Sequence, residues 1–131
     1  MWLLDRYAPI AEANIPVLPR LAVALIALGA AVVLWCGWEF RRARTPIMPF
    51  VEPTALVARG PYRFSRNPIY LGYTLSLTGV AALLGSSSPF VVLPLFVWII
   101  QRRFVEPEER LLEQRFGEVY RAYKTQVRRW I

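Results

Sequence analysis

Residues 67–101, NPIYLGYTLSLTGVAALLGSSSPFVVLPLFVWIIQ, form a stretch of 35 residues without one charged side chain. As a single α-helix this stretch would be about 50 Å long, well beyond the ~30 Å of hydrocarbon in a bilayer. The sequence GSSSP at residues 85–89 interrupts it near the middle. The stretch therefore predicts a transmembrane helical hairpin within residues 67–104, with arms from Pro68 to Leu84 and from Pro89 to Phe104.

The composition favours an integral membrane protein. Hydrophobic residues make up 56% of the 131 residues, yet the net charge is +7. A soluble domain of this size cannot bury that much apolar surface. Of the 16 lysines and arginines, Arg6 and Arg20 precede the first apolar run, and the others all lie within residues 41–66 or 102–129. This is the positive-inside pattern of a membrane protein rather than a nucleic-acid-binding face, so we expect no nucleic-acid partner.

A first spanning helix is predicted at residues 21–40, where an uncharged run rich in Ala, Leu and Val ends at a basic stop. Residues 1–20 are interpreted as an interfacial segment rather than a signal peptide. Three spans place the N-terminus outside and both basic segments in the cytoplasm, as in the inner or plasma membrane of a prokaryote. The predicted fold class is an all-α integral membrane protein, one domain over residues 1–131, with a single span, a hairpin and a C-terminal amphipathic helix.

The two basic segments differ in character. Residues 41–66 are rich in proline and lack a helical apolar period, which predicts an ordered but irregular cytoplasmic connection. Residues 105–131 are predicted to form the amphipathic helix, because one stripe of it is apolar: Leu112, Phe116, Val119, Tyr120, Tyr123 and Val127. We expect this helix to lie along an anionic leaflet or to cap the bundle from the cytoplasm.

Gly72, Ser76 and Gly79 share one narrow face of the first hairpin arm. Small residues at this spacing favour close packing against another helix. The alternative is that the same face leaves room for a flat ligand. Histidine is absent and Cys36 is the one cysteine, so a zinc site or a serine–histidine mechanism is very unfavourable.

Two motifs lie at helix starts on the cytoplasmic side. GPYRFSRNPIYLG at residues 60–72 crowds arginines, tyrosines and an Asn67–Pro68 helix start into one stretch. VEPEER at residues 105–110 places Glu108 and Glu109 beside a proline, which suits the first turn of a helix. Each motif alone has a structural explanation. Together they can line one pocket that suits a ligand with a cation, a carboxylate and a flat ring.

The chain resembles the integral-membrane methyltransferases that include isoprenylcysteine carboxyl methyltransferase and the phospholipid N-methyltransferases. The resemblance covers residues 41–131 and is carried by LVARGPYRFSRNPIYLG (56–72), the Glu108–Glu109 pair and FGEVYRAYKTQVRRW (116–130). It implies an S-adenosylmethionine-dependent methyltransferase whose cofactor lies on the cytoplasmic side, between the hairpin and the C-terminal segment. The implied cofactor-binding positions are Thr54, Ala55, Leu56, Val57, Tyr62, Asn67, Pro68, Ile69, Tyr70, Glu108 and Glu109.

The sequence departs from the isoprenylcysteine branch at two of its positions. Asn67 stands where that branch has histidine, and Phe104 matches the position of its substrate-side arginine. Arg103 is the nearest candidate to replace that arginine as a catalytic residue. These departures leave the methyl acceptor open among a lipid-like or small hydrophobic carboxylate, amine or thiol.

Two other functions are compatible with parts of the pattern. A non-catalytic membrane scaffold or subunit would use the basic tail to bind anionic lipid or a partner protein. A sterol-reductase-like enzyme with a nicotinamide cofactor would share the architecture, but the sequence offers no phosphate-binding cluster to support it. Membrane lipids are expected partners in each case, and self-association is plausible because three spans make a thin wall around a cofactor.

Overall fold

A computed structural model describes residues 18–84 and 88–131, and every regular element within those ranges is helical. The predicted all-α class is thereby confirmed for this part of the chain. Most of the predicted interfacial segment, residues 1–17, lies outside the described residues. The helices are α1 (Leu18–Ala43), α2 (Pro68–Leu84), α3 (Val92–Ile100), α4 (Glu106–Phe116) and α5 (Glu118–Gln126), with 3₁₀ turns at Gly60–Arg63 and Ser88–Val91 and a π-helical turn at Gln101–Val105.

Helix α1 is the one described helix that is both long and apolar enough to cross a membrane. Its 26 residues extend about 39 Å, beyond both ends of the predicted span 21–40. Apolar side chains such as Leu28, Leu34 and Trp38 are exposed along it, as expected for a helix surrounded by lipid. Helix α2 is apolar but has only 17 residues, and α3 is shorter still, so the three-span topology stays a prediction.

Helices α1 and α2 pack with their backbones in close contact. A Cβ atom added to Gly29 of α1 would lie 2.4 Å from the Gly72 carbonyl oxygen and 2.3 Å from Ser76 Oγ. A Cβ atom at Gly79 would lie 2.5 Å from the carbonyl oxygen of Ala22. The predicted helix-packing face is confirmed, and the alternative of a flat ligand on this face is wrong because α1 fills it.

The second hairpin arm differs from the predicted continuous helix between Pro89 and Phe104. It starts as a 3₁₀ turn and passes through the π-helical turn directly into α4. The Glu106 N–H bonds to the Gln101 carbonyl, which is a π-type bond. This wider turn accommodates Pro107, which has no N–H to donate and whose ring would clash in an uninterrupted α-helix. Pro107, Glu108 and Glu109 lie in the first turn of α4, as the VEPEER motif predicted, but that turn continues from a π-helical turn rather than from a free helix end.

The C-terminal segment is two helices rather than the predicted single helix. Gly117 separates α4 from α5 with φ 53° and ψ −121°, a conformation that favours glycine. The apolar stripe of this segment packs against Leu56 of the connection, so the C-terminal segment caps the helical bundle. Val119 is 64% exposed and does not belong to the stripe. The buried cluster comprises Tyr120, Tyr123 and Val127, packed against Leu56, Leu112 and Phe116.

Candidate functional site

The connection after α1, the start of α2 and the α3–α4 junction enclose a cavity of about 380 Å³, which we call the aromatic cavity. Its size falls within the range of small-molecule sites. Apolar side chains from the proline-rich segment 46–53 form one wall. The other walls consist mainly of aromatic and polar side chains, together with the aliphatic Ile69: Phe40, Tyr62, Arg66, Asn67, Ile69, Tyr70, Tyr73, Phe104, Glu108, Glu109 and Tyr120.

Aromatic rings pack against one another around this cavity. The ring of Phe104 lies 5.7 Å from that of Phe50 and 6.3 Å from that of Tyr70, measured between centroids. The rings of Phe40 and Tyr62 lie 5.6 Å apart. Such edge and tilted arrangements hold aromatic groups in fixed positions, and they provide flat, polarisable surfaces for a ligand with a ring or a cation.

Tyr70 and Glu108 connect α2 to α4 across the cavity. The Tyr70 hydroxyl donates a hydrogen bond of 3.0 Å to Glu108 Oε1. Burial raises the pKa of the Glu108 carboxyl above its usual range, and the hydrogen bond from Tyr70 offsets part of that rise. Glu108 makes no ion pair within the described residues. This carboxyl therefore retains acceptor capacity toward a ligand.

Glu109, the next residue, is bound to two arginines. The Arg129 guanidinium donates two hydrogen bonds to the buried carboxylate, from Nε at 3.1 Å and from Nη2 at 2.8 Å. Arg66 Nη1 lies 3.1 Å from Glu109 Oε1 as an ion pair. Hydrogen bonding to Glu109 raises the pKa of Arg129, as expected for a charged pair. Both Glu109 oxygens are thus engaged by the protein itself.

The C-terminal segment is also fixed to the start of α2, in an arrangement that we call the C-terminal clasp. The side-chain amide of Asn67 and the hydroxyl of Ser65 both donate to the Arg129 carbonyl, at 3.0 and 3.3 Å. The backbone N–H of Arg66 donates to the Arg128 carbonyl at 3.0 Å. Asn67 therefore has a partner that requires an N–H donor, which a neutral amide supplies without charge.

Three tyrosines of this region, Tyr62, Tyr120 and Tyr123, are buried. The Tyr123 hydroxyl donates a hydrogen bond of 2.7 Å to the Tyr62 carbonyl. Burial raises the pKa of Tyr62 and of Tyr123, and burial together with the nearby Glu109 carboxylate raises the pKa of Tyr120 to about 12. These phenols stay neutral at physiological pH, so they can donate hydrogen bonds but do not act as bases.

The structure brings part of the predicted cofactor set together. Tyr62, Asn67, Ile69, Tyr70, Glu108 and Glu109 all line the aromatic cavity. Thr54, Ala55, Leu56, Val57 and Pro68 do not line it. The backbone N–H groups of Thr54 and Ala55 are occupied by the Thr45 hydroxyl, at 3.0 and 3.4 Å. Arg103, the candidate catalytic residue, has an exposed side chain outside the cavity lining, whereas Phe104 lies within it.

Arg66 lines the cavity, although in the sequence it is only one of the arginines crowded into residues 60–72. Its Nε and Nη1 atoms are buried and make no hydrogen bond to any described residue. Nη1 reaches Glu109 at ion-pair distance but not in hydrogen-bond geometry. The sequence signal for Arg66 was its place directly before Asn67–Pro68, but nothing in that spacing indicated burial.

Leu56 and Val57 line a second cavity of about 320 Å³, at the last turn of α1. Its other lining residues are Glu39, Arg42, Ala43, Ala58 and Arg59. Val57 of this second cavity and Tyr62 of the aromatic cavity belong to one buried cluster with Cys36, against which Phe40 packs. We call this second space the Glu39 cavity.

Comparison with known proteins places the chain among membrane methyltransferases. A family model described as phospholipid methyltransferase matches residues 18–119. An uncharacterized protein of Haemophilus influenzae is 36% identical over 63 residues, which are 48% of this chain and all of that protein. The protein-S-isoprenylcysteine O-methyltransferase of Schizosaccharomyces pombe is 31% identical over 72 residues, which are 55% of this chain and 30% of that enzyme.

The family match contains the aromatic cavity's main side chains, from Phe40 to Glu109, and ends just before the buried tyrosines of α5. The resemblance inferred from the motifs at residues 56–72 and 108–109 is confirmed. Because the match extends over most of the described residues, the chain belongs to the phospholipid methyltransferase family, a family of membrane methyltransferases.

Proposed function

We propose that this protein is an S-adenosylmethionine-dependent methyltransferase that transfers a methyl group to a lipid-like or small hydrophobic acceptor at the cytoplasmic face of a membrane. The observation that carries the proposal is the aromatic cavity with the Tyr70–Glu108 pair inside it, in a chain of a methyltransferase family. The cavity combines rings, a carboxyl with open acceptor capacity and a buried guanidinium. This set matches the cation, hydroxyl groups, flat base and carboxylate of the cofactor.

The sulfonium of S-adenosylmethionine supplies an activated methyl group whose thioether leaving group needs no proton. The protein's task is to orient the acceptor within ~3–3.5 Å of that methyl and to exclude water. The rings of Tyr62, Tyr70 and Phe104 exclude water from the cavity. The Glu108 carboxyl holds a hydrogen-bonding group of the cofactor or the ammonium of an acceptor. No histidine is required for these roles.

Arg66 is the residue that we propose as the anion-binding group of the site. Its buried Nε atom makes no hydrogen bond to a described residue, and its Nη1 atom contacts Glu109 only as an ion pair. A carboxylate or phosphate in the cavity would accept hydrogen bonds from these donors. Arg66 would thereby hold an anionic nucleophile in place without acting as a base. Arg103 stays a weaker proposal for this role because its side chain is exposed.

Glu109 and Asn67 have a different role in this proposal. Arg129 occupies both carboxylate oxygens of Glu109 and accepts one hydrogen bond from the Asn67 amide, so in this proposal the two side chains position the wall of the cavity. Leu56, Val57 and their neighbours Thr54 and Ala55 support that wall from the connection, and Pro68 starts the helix that carries Tyr70. Of the two adjacent glutamates, Glu108 is thus the one available to a ligand or to a proton from an amine.

The proposal includes the topology predicted from the sequence: α1, α2 and α3 span the bilayer, and the aromatic cavity opens at its cytoplasmic side. The arginines in the last turn of α1 and at the α3–α4 junction lie at one end of this bundle. That end faces the cytoplasm according to the positive-inside rule. The acceptor enters from the bilayer, which explains why the enzyme lies within the membrane.

Cofactor binding to purified protein tests the proposal directly. We expect S-adenosylhomocysteine to bind saturably in calorimetry, and Tyr70→Phe to weaken binding about tenfold because Glu108 loses its hydrogen-bond donor. Tyr73→Phe is the matched control, since Tyr73 lines the same cavity but makes no hydrogen bond within the described residues. Absence of saturable binding to the folded protein would refute the proposal. Incubation with methyl-labelled S-adenosylmethionine and a total membrane lipid extract then identifies the acceptor class.

A further inference from the structure

Residues 46–53 form a short loop whose two ends are held together. The Thr45 hydroxyl accepts a hydrogen bond of 3.0 Å from the backbone N–H of Thr54. The Thr54 hydroxyl donates to the Arg44 carbonyl at 2.9 Å, and the Thr45 N–H donates to the Phe40 carbonyl at the end of α1. A compact surface loop of this length, closed at its base, is an Ω-loop, a class that is frequently functional.

This loop covers the aromatic cavity. Each of its residues except Glu52 lines the cavity. Pro46, Pro49 and Pro53 fix φ at three of the eight positions, so the loop is stiff between its ends. A stiff loop on a fixed base moves as one body, and a movement about that base would uncover the cavity.

An aromatic contact and an ion pair hold the loop against the junction of α3 and α4. The Phe50 ring lies 5.7 Å from the Phe104 ring, although its φ of 63° is unfavourable for phenylalanine. Glu52 pairs with Arg115 of α4 at 3.4 Å, and both side chains are exposed, which makes the pair weak. No backbone hydrogen bond joins residues 46–53 to a helix within residues 18–84 and 88–131. Segments held by so few contacts are those that open locally.

The outer side of the loop is apolar. The loop contains no lysine or arginine. Four of its side chains are between 45% and 69% exposed: Ile47, Met48, Phe50 and Val51. A contiguous group of exposed apolar side chains indicates an apolar partner, since in water this surface is costly.

The position of the loop indicates that this partner is the bilayer. Its base directly follows the last turn of α1, which carries Arg41 and Arg42 and lies at the level of the lipid headgroups in the proposed topology. A loop of eight residues with joined ends extends at most about 14 Å from its base, since each residue spans ~3.3–3.6 Å. Its apolar side chains are therefore within reach of the boundary between headgroups and acyl chains.

We propose that residues 46–53 are a lid over the aromatic cavity, with the bilayer as the partner of its outer side. The lid turns about Thr45 and Thr54, and the ion pair of Glu52 with Arg115 is its latch. Opening admits a ligand from the membrane boundary, and closing excludes water. The role of the lid rests on the proposed function, because a ligand must occupy the cavity, but its movement is measured with no ligand added.

Spin labels test the contact with the bilayer. Met48→Cys is labelled with a nitroxide in phosphatidylcholine nanodiscs, and Thr125→Cys, at an exposed position on α5, is the matched control. We expect the label at Met48→Cys to be severalfold more accessible to oxygen, relative to a water-soluble nickel complex, than the control label. Cys36 is buried, which keeps background labelling low.

Distances between two labels test the latch. Labels on Met48→Cys and Arg110→Cys, both at exposed positions, report the separation of the lid from α4 by double electron–electron resonance. We expect Glu52→Gln to raise the population of longer distances about 1.5- to 5-fold, the range for loss of an exposed ion pair. Arg115→Gln should do the same. High salt should raise this population in the protein that retains the pair and not in either variant.

Glu118→Gln is the matched control for the latch, because it removes an exposed ion pair with Arg121 within α5 and should leave the distances unchanged. Three results would overturn the proposal. One is a label at Met48→Cys that is as accessible to the nickel complex as the label at Thr125→Cys. The others are unchanged distances in Glu52→Gln and an equal change in Glu118→Gln. Because no ligand is added, a failure of S-adenosylhomocysteine to bind would refute the proposed function and leave these results unaffected.

Discussion

Glu108 and Glu109 are neighbours in the sequence, but their carboxyl groups have opposite surroundings. Glu109 receives Arg129 on both oxygens, whereas Glu108 receives one phenol and lies at the aromatic cavity. Successive residues on an α-helix point about 100° apart, which is why one glutamate can belong to the packing and the other to the site. The pair cannot be assigned one shared role.

The raised pKa of Glu108 predicts a specific pH dependence of stability. Burial disfavours the charged form, so the folded chain keeps this proton to a higher pH than the unfolded chain does. As pH rises from the ordinary carboxyl range through the raised pKa, Glu108 lowers the free energy of unfolding. We expect Glu108→Gln to become more stable than the natural protein over that window, as measured by thermal unfolding in detergent at a series of pH values.

Glu113 provides a control of opposite sign. Hydrogen bonds from Lys124 and Arg121 lower its pKa, so its contribution is present above the ordinary carboxyl pKa and is lost as pH falls through the lowered value. Glu113→Gln should therefore lose a little stability at neutral pH, and only a little because solvent screens this exposed group. Parallel pH profiles for the two variants would contradict the assignment of Glu108.

At the scale of elements, Arg129 joins α4 to the end of the chain and to the start of α2. Arg129→Ala removes both side-chain donors from the buried Glu109 carboxylate. We expect a loss of about 2 kcal/mol in unfolding free energy, less than the ~3–5 kcal/mol for a fully buried pair because Arg129 is partly exposed. Arg128→Ala is the matched control, since its side chain is exposed and its contact to Arg66 is through the backbone.

Arg129→Ala should also weaken cofactor binding more than Arg128→Ala does, because Arg129 positions the wall that carries Asn67 and Glu109. Arg129→Lys keeps the charge but cannot supply the two parallel hydrogen bonds. We expect it to restore part of the stability and to bind S-adenosylhomocysteine more weakly than the natural protein does. Equal behaviour of the Arg128 and Arg129 alanine variants would show that the clasp does not position the site.

The contact between α1 and α2 gives a second prediction at this scale. Gly29→Ala would place a methyl group 2.4 Å from the Gly72 carbonyl oxygen, so the two helices must separate. We expect a loss of about 3 kcal/mol, since overpacking at a backbone contact has little room to relax. Gly37→Ala, on the same helix with nothing within 4 Å, should instead be neutral or more stable by up to about 1 kcal/mol. Thermal midpoints in detergent measure both.

The elements that periodicity and composition define could be predicted from the sequence. Helix α2 has the predicted bounds, and its Gly72–Gly79 face is the predicted contact. The π-helical turn before Pro107 and the break at Gly117 could not be predicted, because both depend on how the tail packs on the connection. The roles of Arg66 and Arg129 could not be predicted either. Only the fold buries Arg66 beside Glu109 and brings Arg129 to the same carboxylate.

For the whole molecule, the proposed three-span topology predicts which side of the membrane each end of the bundle faces. A cysteine at Thr125, exposed on α5, should react with a membrane-impermeant maleimide in inverted vesicles and not in intact cells. A cysteine at Phe90, exposed in the turn before α3, should show the reverse. Cys36 is buried, which keeps background labelling low. Labelling of both positions from one side would exclude the hairpin as a span.

The C-terminal clasp has a consequence for how the protein is made. Its side-chain contacts join residues 62 and 64 positions apart, from Ser65 and Asn67 to Arg129. A ribosome adding about 5–20 residues per second needs roughly 3–13 s to cover that distance. Glu109 is made 20 residues before its Arg129 partner, so until then Arg66 is the one of its two described arginine partners that has been made. In each round of synthesis, the helices are therefore complete before the C-terminal clasp can form.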